Sequence, residues 1–144
     1  MFLKNNENGR SMVEMLGVLA IIGVLSVAGI VGYTIAMRKY RANEIAEAIS
    51  MLAIAAKTAN GGHGIESKTG GTSYTELLES STRPSGISSL TVNPDAGQYA
   101  ISLETDTPEL CEAVASTIGN SIMSPLYYTG TGCSNDGKLA ITAK

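Results

Sequence analysis

Between Met15 and Met37 the chain reads MLGVLAIIGVLSVAGIVGYTIAM, 23 residues without a charged side chain. As a helix rising about 1.5 Å per residue, this run extends roughly 34 Å, enough to cross a hydrocarbon layer of about 30 Å. An apolar stretch of about 10–14 residues would suit a buried core helix, and this one is longer. A secretory signal would have an apolar region of about 7–15 residues followed by a small-x-small cleavage site. The run therefore reads as a membrane segment, and the remainder of the chain must be arranged around it.

Composition narrows the rest. Hydrophobic residues make up 44% and charged residues 16% of the 144 positions, the latter well below the roughly 25% of an ordinary soluble domain. Thirteen acidic and ten basic residues leave a net charge of −3. No basic field exists to hold a phosphate backbone, so no nucleic-acid partner is expected. Two cysteines and one histidine are too few for a cysteine/histidine zinc site. Neither a GxSxG nor an HExxH pattern occurs, and the chain is not expected to be an enzyme or to hold a cofactor or metal. Asp95, Asp106 and Asp136 suit turns better than paired acid/base work, and their spacing is not that of a calcium loop. Ser67-Lys68-Thr69 lacks the glycine before lysine of a phosphate-binding loop.

Within the apolar run, Ala28, Gly32 and Ala36 recur every four residues. Small side chains at that spacing let helices approach closely in lipid or in a packed helical core. Past the run come Arg38, Lys39 and Arg41, then ANEIAEAISMLAIAAKTAN. Ile45, Ile49, Leu52 and Ala56 fall at intervals of three and four, one face of a helix, with Asn43, Glu44, Glu47 and Lys57 elsewhere. Asn60-Gly61-Gly62 supplies a stop with a glycine suited to the left-handed cap. The pattern predicts a helix from about Met12 to Ala59, roughly 70 Å long.

Residues 60–73 carry five glycines and are expected to form an exposed connection, with His63 as a solvated side chain. Beyond it, Tyr74 to Ser80 suits one or two helical turns. Ile87–Val92 and Gln98–Leu103 read as strands. Thr107-Pro108-Glu109 opens a helix that Gly119 closes. Asn135-Asp136-Gly137 forms a hairpin turn into a strand from Lys138 to Thr142. The expected fold class is α+β, a long N-terminal helix packed on a small antiparallel-sheet head. Cys111 and Cys133 lie 22 positions apart, a spacing that suggests one disulfide, with two reduced buried thiols as the alternative.

Glu14 stands at the edge of the apolar run and Gly9 five residues before it. The stretch Gly9-Arg10-Ser11-Met12-Val13-Glu14-Met15-Leu16-Gly17-Val18, behind the polar leader MFLKNNENG, resembles the N-terminus of type IV prepilins. On that resemblance a prepilin peptidase cuts after Gly9 and the new amino terminus of Arg10 is methylated. Arg10 stands where many members of the family have phenylalanine. The resemblance also implies that Glu14 meets the N-terminal ammonium of a neighbouring subunit during assembly. A second, shorter likeness runs from Tyr99-Ala100-Ile101-Ser102-Leu103 through Cys111 to Thr117-Ile118-Gly119. It is similar to the strand, cysteine-bearing helix and glycine of type IVb pilins, a group that includes toxin-coregulated and conjugative thin-pilus subunits.

The resemblance implies a leader at 1–9, a long helix at 10–59 that spans the membrane at about 15–37, and a head at 60–144. Its partners would be the prepilin peptidase, the inner-membrane pilus assembly machinery, membrane lipid before assembly, and copies of itself in a helical homopolymer. The chain would begin in the bacterial inner membrane and end in an extracellular filament serving adhesion, aggregation or conjugation. The same architecture serves pseudopilins and minor pilins of type II secretion or competence systems, and a single-pass anchored binding module is the third reading. One signal runs the other way. Arg38, Lys39 and Arg41 outweigh the positive charge before the span, and the positive-inside rule alone would place the head in the cytoplasm. The cysteines and the prepilin pattern place it outside. If the peptidase reads this leader, the mature chain begins at Arg10 by mass spectrometry, and Gly9→Val leaves an uncut membrane precursor.

Overall fold

In the computed structural model, residues 7–67, 69–78, 82–120, 128–130 and 132–143 are described. The apolar run and the amphipathic stretch behind it contain no proline, so nothing removes a backbone donor. They form one helix, α1 (Glu7–Gly62), beginning five residues before the expected start and ending three after the expected end. Its interior hydroxyls turn inward on the helix itself. Ser26 Oγ donates to the Ile22 carbonyl at 2.8 Å and Thr34 Oγ1 to that of Val31 at 2.8 Å, so neither leaves an unsatisfied donor within the apolar surface. Gly62 takes a φ of 93°, the left-handed backbone that glycine adopts without strain.

The chain divides into two compact units, Met1–Met37 and Arg38–Lys144. In the first, the described apolar side chains from Met12 to Ala36 are exposed, Met12 at 72% and Ile35 at 48%, and Met37 is half-buried. In the second, α1 turns one face inward. Ala42, Ile45, Ala48, Ile49, Leu52, Ala53 and Ala56 are buried, which includes all four residues of the predicted stripe. The three other alanines complete it because a small side chain admits close approach of the helix to its neighbours.

That stripe shares a core with an antiparallel sheet and a second helix. The elements after α1 are β1 (Thr72–Ser73), α2 (Tyr74–Leu77), β2 (Ile87–Asp95), β3 (Gln98–Thr105), α3 (Pro108–Asn120), β4 (Tyr128–Gly130) and β5 (Lys138–Ala143). The sheet order is β1-β2-β3-β5-β4, and each neighbouring pair is antiparallel. Side chains alternate between the faces of a strand, so register decides which ones meet. Across β2, β3 and β5, Leu90 pairs with Leu103 and Leu103 with Leu139. Val92 pairs with Ile101 and Ile101 with Ile141. These six residues are all buried, as are Leu110, Cys111 and Val114 of α3. The opposite face carries the rows Thr91–Ser102–Ala140 and Asn93–Ala100–Thr142, small or polar throughout.

Three details depart from the sequence reading. The strand expected to end at Val92 continues to Asp95 through Pro94. Proline is tolerated because β1 pairs only with Thr91 and Val92, so at Pro94 strand β2 needs hydrogen bonds on one side alone. Ala96 (φ 47°) and Gly97 (φ 84°) then close a two-residue hairpin in which both positions are left-handed. Finally, the connection at 60–73 is not simply exposed. Gly64 is buried and Ile65 packs against the core. Gly64 N–H donates to the Ala59 carbonyl at 3.0 Å and Ile65 N–H to that of Ala56 at 3.1 Å. A Cβ at Gly64 would collide with the Tyr99 hydroxyl, so only glycine lets the chain leave α1 this closely over β3. The end of the predicted helical turn at Ser80 lies outside the described residues.

The turn before β5 is fixed by Thr105, a buried polar residue. Its backbone N–H donates to the Gly137 carbonyl at 2.9 Å, and its hydroxyl lies 2.9 Å from that oxygen and 3.0 Å from the Thr107 carbonyl. Gly137 has a φ of 74°, and a Cβ there would lie 2.8 Å from the Thr105 carbonyl oxygen. Gly137→Ala is therefore expected to destabilise the head by about 1–3 kcal/mol. A lower urea midpoint for the full chain in detergent, read by circular dichroism, checks this.

Candidate assembly surface

Helix α1 positions every residue of the N-terminal pattern. Gly9 and Arg10 are helical in backbone, while their side chains, with the leader residues 1–6, lie outside the described residues. Glu14 is exposed, seven residues after the start of α1. Ala28, Gly32 and Ala36 are also exposed, and a Cβ added at Gly32 would meet nothing within 4 Å. Among the described residues, no side chain stands against Gly32. None of the most apolar window of this helix is buried.

An exposed apolar surface of this extent is foreign to a monomer in water. Its backbone groups are satisfied within the helix, which is the condition for residence in lipid. α1 is long and apolar enough to cross a membrane. Lipid tails and the apolar helices of other chains are equivalent surroundings for such a surface, and small residues favour the second by allowing closer van der Waals contact.

In the head, Cys111 and Cys133 form a disulfide, with S–S 2.01 Å and Cα–Cα 5.9 Å. The structure contains the bond that the spacing suggested. Cys111 is fully buried on α3, and Cys133 lies half-buried in the segment before β5. The bridge closes 22 residues, a loop whose closure entropy corresponds to about 3.4 kcal/mol. It ties α3 to the turn that delivers β5, the strand paired on both sides.

The polar face of the sheet carries an open depression lined by Ser89, Ser102, Glu104, Ser134, Lys138 and Ala140. Lys138 Nζ lies 3.6 Å from Glu104 Oε1, with both side chains well exposed, so the pair adds little stability. His63 is exposed near the end of α1. Among the described residues no three histidine, cysteine, aspartate or glutamate side chains lie close enough to hold a metal ion. Sequence reasoning missed Ser73, whose Oγ accepts from Glu76 N–H at 3.3 Å and caps α2. The serine followed three residues later by glutamate was the available signal.

Compared with family models, curated proteins and solved structures, the chain matches none. Cys133→Ser is expected to cost the head about 2–4 kcal/mol, leaving membrane insertion unchanged. Thermal melts of the detergent-solubilised chain with and without reductant check this, because reduction should lower the wild-type midpoint to that of the variant.

Proposed function

We propose that the chain is a type IV pilin-like structural subunit, held in the bacterial inner membrane by α1 and then assembled through that helix into an extracellular filament. The observation that carries the reading is one of register. Gly9, four intervening residues, Glu14 and 23 uncharged residues follow one another with no spacing to spare.

Each later step follows from the chemistry of α1. A prepilin peptidase removes the polar leader after Gly9 and frees the ammonium of Arg10, which is then methylated. Extraction from lipid costs little if the apolar surface is recovered at once by neighbouring helices, and the stripe of Ala28, Gly32 and Ala36 permits their close approach. Apolar packing alone tolerates slippage along the axis. A charge does not, because a carboxylate within a helical core needs a cation at a defined height. Glu14 takes the Arg10 ammonium of the adjacent copy and so sets the axial step. The head, closed by its disulfide, stays on the outside of the assembly.

Glu14→Ala separates this reading from a merely anchored module. Removing one partner of a buried ion pair costs about 3–5 kcal/mol, since the other charge is left uncompensated. The expected phenotype is a processed, membrane-bound subunit that yields no filaments in sheared surface material viewed by electron microscopy. Normal filament yield from the variant would remove Glu14 from assembly, and absence of filaments from the wild type under assembly conditions would remove the pilin reading itself.

A further inference from the structure

The head covers α1 only from Ala42 onward, yet the buried stripe does not stop there in sequence. Arg38 precedes Ala42 by four residues and Ile45 by seven. Arg41 precedes Ile45 by four and Ala48 by seven. Both therefore occupy the helical face that the core residues occupy one turn later. Both are exposed, as is Lys39, about 100° around the helix from Arg38. A stripe position that the head covered would be apolar, as the next seven are. At these two it is arginine.

None of the three cations makes an ion pair among the described residues. Lys138 does, with Glu104. Glu44, three residues beyond Arg41, is exposed and makes no ion pair with it, and Glu47 lies on the far side of the helix from the stripe. The three cations are also the first charged residues after the uncharged run, which at about 1.5 Å per residue already fills the hydrocarbon layer. Tyr33 and Tyr40 bracket their start in sequence, each 66% exposed. Tyrosine is enriched at the level of lipid headgroups, where a ring with a polar tip is best accommodated.

We propose that Arg38, Lys39 and Arg41 form a binding surface for the phosphate groups of anionic phospholipids. Two guanidinium groups three residues apart on one face lie close enough to share one phosphate, and each presents a planar fork that matches its oxygens. Lys39 adds a point charge to the side. This assignment rests on the membrane span of α1 and not on polymerisation. It also gives the positive charge after the span a task on whichever side of the bilayer the head resides.

The test is made on the full chain reconstituted as a membrane-bound monomer in phosphatidylcholine bilayers. These contain trace spin-labelled phosphatidylglycerol or, in parallel, spin-labelled phosphatidylcholine. Electron paramagnetic resonance separates lipid immobilised at the protein from bulk lipid and so gives the relative affinity of the two. The wild type should prefer phosphatidylglycerol at least threefold, with the preference falling in high salt. The double variant Arg38→Gln, Arg41→Gln should bring the ratio close to one, Lys39→Gln should lower it in part, and Lys138→Gln should leave it unchanged. Equal affinity for both lipids in the wild type overturns the proposal, as does an undiminished preference in the double glutamine variant. Loss of filaments in that variant with unchanged lipid preference overturns it in favour of an acidic protein partner. Because the readout needs no filament, its failure is distinct from failure of the pilin reading.

Discussion

The first half of α1 is left uncovered. From Met12 to Ile35 the apolar side chains of α1 are exposed without interruption. Burial of apolar surface contributes roughly 25 cal/mol per Å² removed from water, so a surface of this extent must be covered by something other than this chain. Two surroundings meet the condition, lipid and other helices of the same kind. Both leave the backbone satisfied, because each amide of a helix finds its partner within the helix.

The head has a core of its own. Its core is small, drawn from short apolar side chains of the sheet, from Leu110 and Val114 of α3 and from the inner stripe of α1. Neither tryptophan nor a phenylalanine beyond Phe2 is available to it. Domains of this size gain relatively little from burial and commonly rely on a covalent staple. The bond between Cys111 and Cys133 is placed where it does most, between α3 and the turn before β5, in the same region where Thr105 fastens Gly137. An oxidising compartment for the head agrees with this arrangement.

The chemistry of α1 changes along its length. Up to Met37 it carries no charge; Arg38, Lys39 and Arg41 follow; from Ala42 one face is apolar again while Glu44 and Glu47 mark the other. A change from an apolar surface all round, to cationic, to one-sided over a dozen residues is what a helix requires on passing from hydrocarbon through a phosphate layer to a protein surface.

The sequence by itself determined whatever depends on near neighbours along the chain. The uncharged run, the stripe of Ile45, Ile49, Leu52 and Ala56, the helix opened by Pro108 and the turn at Asn135-Asp136-Gly137 are all local patterns with fixed periods or fixed backbone demands. So is the spacing of Gly9 and Glu14 on which the pilin resemblance rests. Tertiary structure decided what depends on partners distant in sequence. It closed the disulfide that the spacing had only suggested and carried β2 through Pro94, a position with a hydrogen-bonding neighbour on one side only. It folded Gly64 and Ile65 out of an apparent loop against Tyr99 and the core. It also fixed where the cover of α1 begins, at Ala42, and so left Arg38 and Arg41 exposed on a face that periodicity alone assigns to the core. Period tells which residues share a face, but only the packed head tells how far along the helix that face is covered.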